Sequence, residues 1–240
     1  MTASGPAVGT TTTHNERSAR PAVNRGALAR LFINAFPAMG AGDQRLALVL
    51  YRLLAGGRSV SPARLASSLN RPVEDIQRVL GRWPGVFYDD AGAVIGFWGL
   101  TVKEMRQRLE LNGNTVYAWC AWDTLFLPAL LDATANIASR CAQTGEPVRL
   151  TVSPGRIESV DPASVVVSFL EPDESELREN VTKSFCHFVH FFRDHEAGKR
   201  WVARHPGMFL LTLEEAFDIG RRVNAARYRD VLQAIGEIPS

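Results

Sequence analysis

The hydrophobic pattern of the chain changes its period near Gly96, and this change limits the choice of fold more than any other feature. Before Gly96, apolar residues recur at the three- and four-residue intervals of amphipathic helices. After it, short alternating segments separated by turn residues predominate, which is typical of strands. The pattern therefore predicts an α+β protein in which a helical N-terminal module precedes a mixed core of short strands and helices.

Four helices and a hairpin are predicted in the N-terminal module. The first helix begins near Gly26, and Asp43 is predicted to cap the second. Ser61 followed by Pro62 is predicted to begin the third, because serine accepts backbone N–H groups and proline suits the first helical position. The fourth covers about residues 72–83, and the hairpin follows it. Helices followed by a hairpin are the layout of a winged helix, so the module is predicted to be winged-helix-like.

The winged-helix layout makes a DNA-binding regulator one candidate function. The predicted recognition helix, residues 71–83, carries three basic and two acidic side chains, a net charge of about +1. The whole chain holds 27 Lys and Arg against 25 Asp and Glu, a formal net charge of +2. A helix that enters a groove lined by phosphates needs a clearer excess of positive charge. The composition therefore favours a structural or lid-forming module over nucleic-acid binding.

Composition divides the chain into three parts. Residues 1–24 are rich in Thr, Ala, Gly and Pro without periodicity, and they are predicted to be a disordered tail. Residues 25–98 are predicted to form the N-terminal module and residues 99–240 the α+β core. No apolar run approaches the roughly 18 residues of a membrane span, and the N-terminus lacks the apolar segment of a secretory signal. We therefore predict a cytoplasmic protein that binds no membrane.

The chain has three cysteines, Cys120, Cys141 and Cys186. An odd number without a C-x-x-C pair argues against a disulfide framework or a zinc ribbon. Free thiols in a reducing compartment are either buried or reactive. Cys141 lies between a predicted strand and a glycine-containing turn, with only Arg140 as a charged neighbour, and we predict a packing role for it.

Cys120 has an acidic residue, Asp123, three positions further along the chain. If this segment begins a helix, the two side chains share one face. A thiol near a helix N-terminus has a lowered pKa, and a carboxylate beside it can hold or deliver a proton. A Cys and an Asp at this spacing also occur together by chance, so the spacing alone does not establish a catalytic pair.

Cys186 lies in a second segment, which is rich in aromatic residues. If this segment is a strand, Cys186, Phe188 and His190 point to one side. The pattern fits a core strand with one satisfied histidine, a hydrolase triad of Cys120, Asp123 and His190, or a zinc site of Cys120, Cys186 and His190. A cysteine protease signature is missing around Cys120, and the zinc ligands lack a closely spaced pair. These alternatives stay open on the residues alone.

One longer segment, Y-A-W-C-A-W-D-T-L-F-L-P-A-L-L at residues 117–131, resembles the signature of the organomercurial lyases, also called alkylmercury lyases. The similarity continues in shorter blocks that keep the family's order along the chain, at residues 139–145, 148–154, 184–186, 190–192 and 214–217. Together the blocks extend over roughly residues 26–228. Several ordered blocks make this resemblance far more specific than a single motif.

The resemblance implies an enzyme that cleaves carbon–mercury bonds by protonolysis and releases a hydrocarbon and Hg(II). The family's two catalytic cysteines match Cys120 and Cys186, and its catalytic aspartate matches Asp123. The same three residues would hold mercury as substrate and product, with no structural metal. The resemblance also implies no cofactor, an external low-molecular-weight thiol that removes Hg(II), and a mercuric reductase to which Hg(II) could be handed. Many relatives have a second cysteine where this chain has His187, a position outside the family's catalytic set.

The residues themselves fit this chemistry. Mercury is a soft metal that prefers thiolate ligands, and a second thiolate makes the bound carbon more carbanion-like. An acid must then protonate that carbon, and Asp123 is close enough to Cys120 in the sequence to do so. Trp119, Phe185 and Phe188 are predicted to line the substrate pocket and to exclude water. A protein that binds or senses mercury without turnover is the remaining alternative.

Overall fold

The computed structural model of the protein describes residues 24–236 and has the predicted α+β architecture, a helical N-terminal module followed by a mixed core. The helices are α1 (Arg25–Ala35), α2 (Ala41–Leu54), α3 (Pro62–Leu69), α4 (Val73–Leu80), α5 (Asp123–Leu131), α6 (Glu174–Ser184), α7 (His195–Val202), α8 (Leu213–Arg227) and α9 (Arg229–Gly236). The strands are β1 (Val86–Tyr88), β2 (Val94–Phe97), β3 (Leu100–Thr101), β4 (Gln107–Leu111), β5 (Asn114–Ala118), β6 (Ala135–Arg140), β7 (Pro147–Val152), β8 (Ile157–Asp161), β9 (Val166–Leu170), β10 (Phe191–Phe192) and β11 (Met208–Thr212). Within residues 24–236, no helix has the length and apolar character needed to cross a membrane.

The predicted tail, residues 1–24, lies outside the described residues except at its last position. There the side chain of Asn24 accepts a hydrogen bond from the Ala27 N–H (2.9 Å). This bond satisfies one of the backbone donors at the start of α1, so Asn24 is the cap of the first helix.

The N-terminal module contains the predicted helices and hairpin, with one difference at a helix start. The Ser61 side chain accepts from the Arg64 N–H (3.2 Å) and Pro62 is the first residue of α3, as predicted. The prediction that Asp43 caps α2 is wrong, since Gly40 is the cap residue and Asp43 lies in the first turn. In that position its negative charge still interacts favourably with the positive, N-terminal end of the helix dipole.

Helix α4 occupies the position of the predicted recognition helix and is shorter than expected. Its first turn holds Glu74 and Asp75, and the guanidinium of Arg78 forms an ion pair with Asp75. This pairing offsets one of the positive charges that a DNA-reading helix would offer to phosphates. The arrangement supports a structural role for the module.

One antiparallel sheet runs through both parts of the chain, in the order β1-β2-β3-β5-β4-β6-β7-β8. Residues of β4 and β6 alternate between buried and exposed, and the buried Leu109 and Ile137 are register partners. The hairpin strands β1 and β2 join the sheet of the core through β3. The division into residues 25–98 and 99–240 stays a prediction, because the sheet crosses this boundary.

A second antiparallel sheet, with the order β10-β9-β11, lies next to the segment that contains Cys186. In the Cys186 segment only Phe191–Phe192 form a strand, β10, and Cys186–Phe188 form a 3-10 turn. Side chains of such a turn follow a period of three and do not alternate between two faces. The expectation that Cys186, Phe188 and His190 share one face of a strand is therefore wrong.

A buried aromatic cluster packs α1 against the core. The ring of Phe32 in α1 lies 4.5 Å from that of Trp122 and 4.8 Å from that of Phe185, measured between ring centroids. Phe169 of β9 contacts Phe185 edge-on at 5.1 Å. Such pairs add to the stability that burial of their large apolar surfaces provides. The cluster thereby packs together the segments before α5 and after α6, which carry two of the cysteines.

Candidate active site

Cys120 lies in the loop between β5 and α5. Because α5 begins only at Asp123, the predicted common helix face for Cys120 and Asp123 is wrong. The spacing of three residues has a different consequence, since the backbone N–H of Cys120 donates to Oδ2 of Asp123 (2.8 Å). This hydrogen bond closes the loop and holds the carboxyl group next to the cysteine.

Further contacts hold this loop in place. The Trp119 N–H donates to the Gly99 carbonyl (2.9 Å), and the Thr124 hydroxyl donates to the Ala121 carbonyl (2.8 Å). Gly99 has a φ of +95°, and a Cβ atom at this position would lie 2.7 Å from Oδ1 of Asp123. Both the backbone conformation and the close approach require glycine. Sequence analysis missed Gly99, because its contact with Asp123 is tertiary and no local motif marks it.

Ser168, a buried residue of β9, anchors the segment that contains Cys186. Its hydroxyl oxygen accepts from the backbone N–H of His190 (2.9 Å). The carbonyl of Val189 in the same segment accepts from the N–H of Ala121 (3.1 Å). This second bond joins the two cysteine segments directly.

Two thiols and one carboxyl group meet at this junction. One ligand atom each from Cys120, Asp123 and Cys186 lies within 4.8 Å of the other two. The three residues are buried, with relative exposures of 1%, 4% and 6%. Two soft sulfur ligands and one oxygen that can carry a proton are thereby held within reach of a single bound atom.

Burial favours the protonated forms of these groups. It raises the pKa of Asp123 to about 7, against the opposing effect of the hydrogen bonds from Cys120. Burial, the hydrogen bond with Cys186 and the charge of Asp123 raise the pKa of Cys120 well above its ordinary value. The hydrogen bond with Cys120 lowers the pKa of Cys186, but burial and Asp123 outweigh it and leave that pKa raised. The predicted lowering of the Cys120 pKa by a helix dipole is therefore wrong, and Asp123 titrates near neutral pH.

The cluster borders an aromatic cavity with about 560 Å³ of empty space, including the solvent at its mouth. Asp123 and Cys186 line this cavity, whereas Cys120 is not part of the lining. Of the three predicted pocket residues, Trp119 and Phe185 line the cavity and Phe188 lies outside its lining.

Helices that are distant in sequence from the two cysteines supply much of the cavity wall, and sequence analysis missed their contribution. Their apolar residues have the spacing of core positions, and a cavity wall produces the same pattern. The N-terminal module and α8 thus form part of the site, which supports a lid-forming role for the module. The N-terminal module contributes Phe32, Phe36, Tyr51 and Trp98 to the wall, and the end of α8 contributes Arg227 and the following residue, Tyr228.

His190 and Cys141 lie apart from the cluster. The His190 ring packs edge-on against Trp201, with 5.5 Å between ring centroids, and burial lowers the pKa of His190 to about 4. This placement supports neither the hydrolase triad nor the zinc site that included His190. Cys141 is buried in the turn after β6, where its N–H donates to the Glu146 carbonyl (2.8 Å). Its packing role stays a prediction.

Two family models match the chain. The model described as alkylmercury lyase matches residues 100–224, and the model described as the helix-turn-helix domain of alkylmercury lyase matches residues 33–98. The alkylmercury lyase of Bacillus cereus is 41% identical over 187 residues, which are 78% of this chain and 84% of that protein. The alkylmercury lyase of Streptomyces lividans is 38% identical over 201 residues, 83% of this chain and 92% of that protein.

A solved structure supports the fold. The crystal structure of the mercury-bound form of MerB2 matches with a TM-score of 0.70 and 24% sequence identity, over 83% of this chain and 98% of that one. At this identity the match shows the fold alone, whereas the family model described as alkylmercury lyase includes Cys120, Asp123 and Cys186. The chain belongs to the alkylmercury lyase family.

Proposed function

We propose that this chain is an organomercurial lyase, which cleaves the carbon–mercury bond of its substrate by protonolysis and releases a hydrocarbon and Hg(II). The observation that carries the proposal is the buried cluster of Cys120, Asp123 and Cys186, whose ligand atoms lie within 4.8 Å of one another. Two sulfurs can bind one mercury atom there, while the carboxyl group is close enough to move a proton between sulfur and carbon.

The first step binds the substrate, written R–Hg–X. Cys186 lines the cavity, so its thiol meets the substrate before that of Cys120. Its sulfur displaces X, and the thiol proton leaves with X as HX. The product of this step is R–Hg bound to one sulfur, in which the carbon–mercury bond is still strong.

The second step supplies the other thiolate. Cys120 gives its proton to the carboxylate of Asp123, and the Cys120 thiolate becomes the second sulfur ligand of mercury. Because burial raises the pKa of Asp123 to about 7, its carboxylate is a stronger base than an ordinary one. The second thiolate adds electron density to the metal and makes the carbon more carbanion-like.

The third step breaks the carbon–mercury bond. The protonated Asp123 delivers its proton to the carbon, R–H leaves, and Asp123 is again a carboxylate. In total, R–Hg–X and two thiols give R–H, HX and Hg(II) bound to two thiolates. The aromatic wall, including Trp119 and Phe185, keeps water away from the proton in transit.

Product release requires a competing ligand, because two thiolates hold Hg(II) tightly. We therefore propose that low-molecular-weight thiols remove the metal and that the protein acts in the cytoplasm, where such thiols are abundant. A mercuric reductase is the proposed recipient of the Hg(II). The steps above use only side chains of this chain and the substrate.

The direct test is to detect the hydrocarbon. The purified protein is incubated with methylmercury or phenylmercury in excess thiol, and methane or benzene is measured in the headspace. Stoichiometric or repeated release above a protein-free control is the expected result. Tight binding of Hg(II) without any hydrocarbon would overturn the proposal and identify a protein that binds or senses mercury without turnover.

A further inference from the structure

Arg227, the last residue of α8, reaches the cavity, and the proposed mechanism gives it no role. Its guanidinium carbon lies 4.3 Å from the ring centroid of Trp98 and 4.9 Å from that of Phe36. Both terminal nitrogens of the guanidinium are buried, and neither has a hydrogen-bond partner among the side chains and backbone that the structure describes. The cavity therefore contains a positive charge with unused donors.

Burial raises the pKa of the Tyr228 phenol, and the guanidinium interacts with this phenol and opposes the rise, but no anionic group among the described residues balances its buried terminal nitrogens. Such an arrangement is unusual, because a buried charge is normally paired with an opposite charge or bound to a ligand. The two aromatic rings compensate part of the lost hydration through cation–π contact, but they accept no hydrogen bonds from the N–H groups in its plane. The acidic residue that lines the same cavity, Asp123, accepts the Cys120 N–H (2.8 Å) and is not a partner of the terminal nitrogens of Arg227. The described protein groups thus leave the terminal donors available to a ligand.

The charge of Arg227 acts on the same cavity as the reacting groups. Tyr51, whose hydroxyl donates to the Trp98 carbonyl (2.9 Å), also lines the cavity. Burial and the hydrogen-bonded neighbour Tyr228 raise the pKa of Tyr51, Arg227 opposes this rise and Asp123 adds to it. The charges of both Arg227 and Asp123 thus act on the Tyr51 phenol. The guanidinium of Arg227 and the carboxyl group of Asp123 line the same cavity.

We propose that Arg227 binds a carboxylate carried by the organic group of the substrate, so that aryl organomercurials with an anionic substituent are preferred over neutral ones. This inference rests on the proposed function. A guanidinium presents parallel N–H donors that match the two oxygens of a carboxylate, and the aromatic wall suits an aryl ring. Mercury would bind at the cysteines while the carboxylate pairs with Arg227 in the same cavity.

The test compares two substrates that differ in the carboxylate, 4-mercuribenzoate and phenylmercury. In Arg227→Met the ratio of kcat/KM for 4-mercuribenzoate to that for phenylmercury should fall about tenfold or more, and in Arg227→Lys it should fall less, because lysine keeps the charge. Arg222→Met is the matched control on the same helix, where Arg222 is exposed and pairs with Asp218, and its ratio should equal that of wild type. An equal loss on both substrates, or no loss, would overturn the inference and leave Arg227 a structural contact of Trp98 and Phe36.

A binding measurement separates this inference from the proposed function. Equilibrium dialysis with benzoate and with its neutral analogue benzamide should show tighter binding of benzoate to wild type, and this preference should be lost in Arg227→Met. Thermal unfolding checks that the variant is folded. Benzoate that binds wild type no better than benzamide would overturn the inference even if phenylmercury is cleaved. A carboxylate preference in a protein that releases no hydrocarbon would instead overturn the proposed function alone.

Discussion

The two cysteine segments of the site are held in different ways. The Cys120 loop is closed by its own neighbour, through the hydrogen bond from the Cys120 N–H to Asp123. Cys186 follows the largely exposed helix α6, in which Asn180 departs from helical geometry with a φ of −159° and a ψ of 85°. Its segment is held by Ser168 from a neighbouring strand. One thiol and the proton carrier thus form a preorganised unit, whereas the second thiol is brought to them by tertiary contacts.

The largest effect is expected when either thiol of the cluster is removed. Cys120→Ser and Cys186→Ser should each lower hydrocarbon release to less than about a tenth of the wild-type rate, because a hydroxyl neither ionises at neutral pH nor binds mercury well. Cys141→Ala is the matched control and should keep the wild-type rate, since Cys141 lies apart from the cluster. A rate above this limit in either serine variant would contradict the two-thiolate mechanism.

The same two variants should differ in how they bind substrate. Cys120→Ser keeps Cys186, which lines the cavity, and should form a one-to-one adduct with phenylmercury quickly. Cys186→Ser keeps Cys120, which is 1% exposed, and its adduct should form at least about tenfold more slowly. Mass spectrometry in a Cys141→Ala background measures both rates. Equal rates would show that Cys186 does not have to act first.

Asp123→Asn tests the preorganised unit itself. The amide can still accept the hydrogen bond from the Cys120 N–H, but it cannot take and return a proton, so turnover should fall about a hundredfold or more. Hg(II) binding should persist, because both thiols remain. Near-normal turnover, with a loss of stability of about 1 kcal/mol, would reduce Asp123 to a capping residue.

The asparagine variant is expected to stay folded, and the sign of the pKa shift explains why. Burial raises the folded-state pKa of Asp123 to about 7, above the value of an exposed carboxyl group. Its contribution to stability is therefore complete at low pH and is lost as the pH rises toward and through 7. An asparagine at this position does not ionise, so it avoids the loss of stability that ionisation of the buried carboxyl group causes. Thermal unfolding at pH 8 should therefore show that removing the charge does not destabilise Asp123→Asn relative to the wild type.

The pH dependence of the wild type should reflect the same group. The transfer from Cys120 requires the carboxylate form of Asp123, whose pKa is about 7. We expect kcat/KM to fall about tenfold for each pH unit below 7 and to level off above it. The inflection should be missing from the residual activity of Asp123→Asn. A wild-type profile that is flat between pH 5 and 8 would exclude this assignment.

Local sequence signals predicted those parts of the fold that local interactions determine. Ser61 followed by Pro62 defines the start of α3, because the serine side chain bonds to an N–H three residues away. Asp43 was placed at the wrong helix position, since an acidic residue suits the cap and the first turn alike. The strand considered for Cys186 does not form, because an aromatic segment is compatible with a buried strand and with a buried turn.

The site was predictable in its chemistry and only partly in its geometry. The resemblance to the family named Cys120, Asp123 and Cys186, and the structure brings the three together. The spacing of Cys120 and Asp123 suggested a helix face, whereas the carboxylate in fact accepts a backbone hydrogen bond. Gly99 and Arg227 reach the site through tertiary contacts, and such contacts leave no periodicity or motif in the sequence.

The smallest effect is expected from the hydroxyls that support each cysteine segment, Ser168 and Thr124. Ser168 donates to the Phe188 carbonyl (2.7 Å) and accepts from the His190 N–H (2.9 Å), so Ser168→Ala leaves two partly buried groups of the Cys186 segment without that partner. The free energy of unfolding should fall by about 1–3 kcal/mol, and adduct formation at Cys186 should slow about threefold.

Thr124→Val is the matched change in the Cys120 loop, where one hydroxyl donates to the Ala121 carbonyl (2.8 Å). Its loss of stability should be about 1 kcal/mol, with adduct formation at Cys186 unchanged, because other bonds still close that loop. Denaturant unfolding and the mass-spectrometric assay measure both effects. If Thr124→Val slowed the adduct as much as Ser168→Ala, the two segments would move as one unit, and the distinction between a preorganised thiol and one held by tertiary contacts would fail.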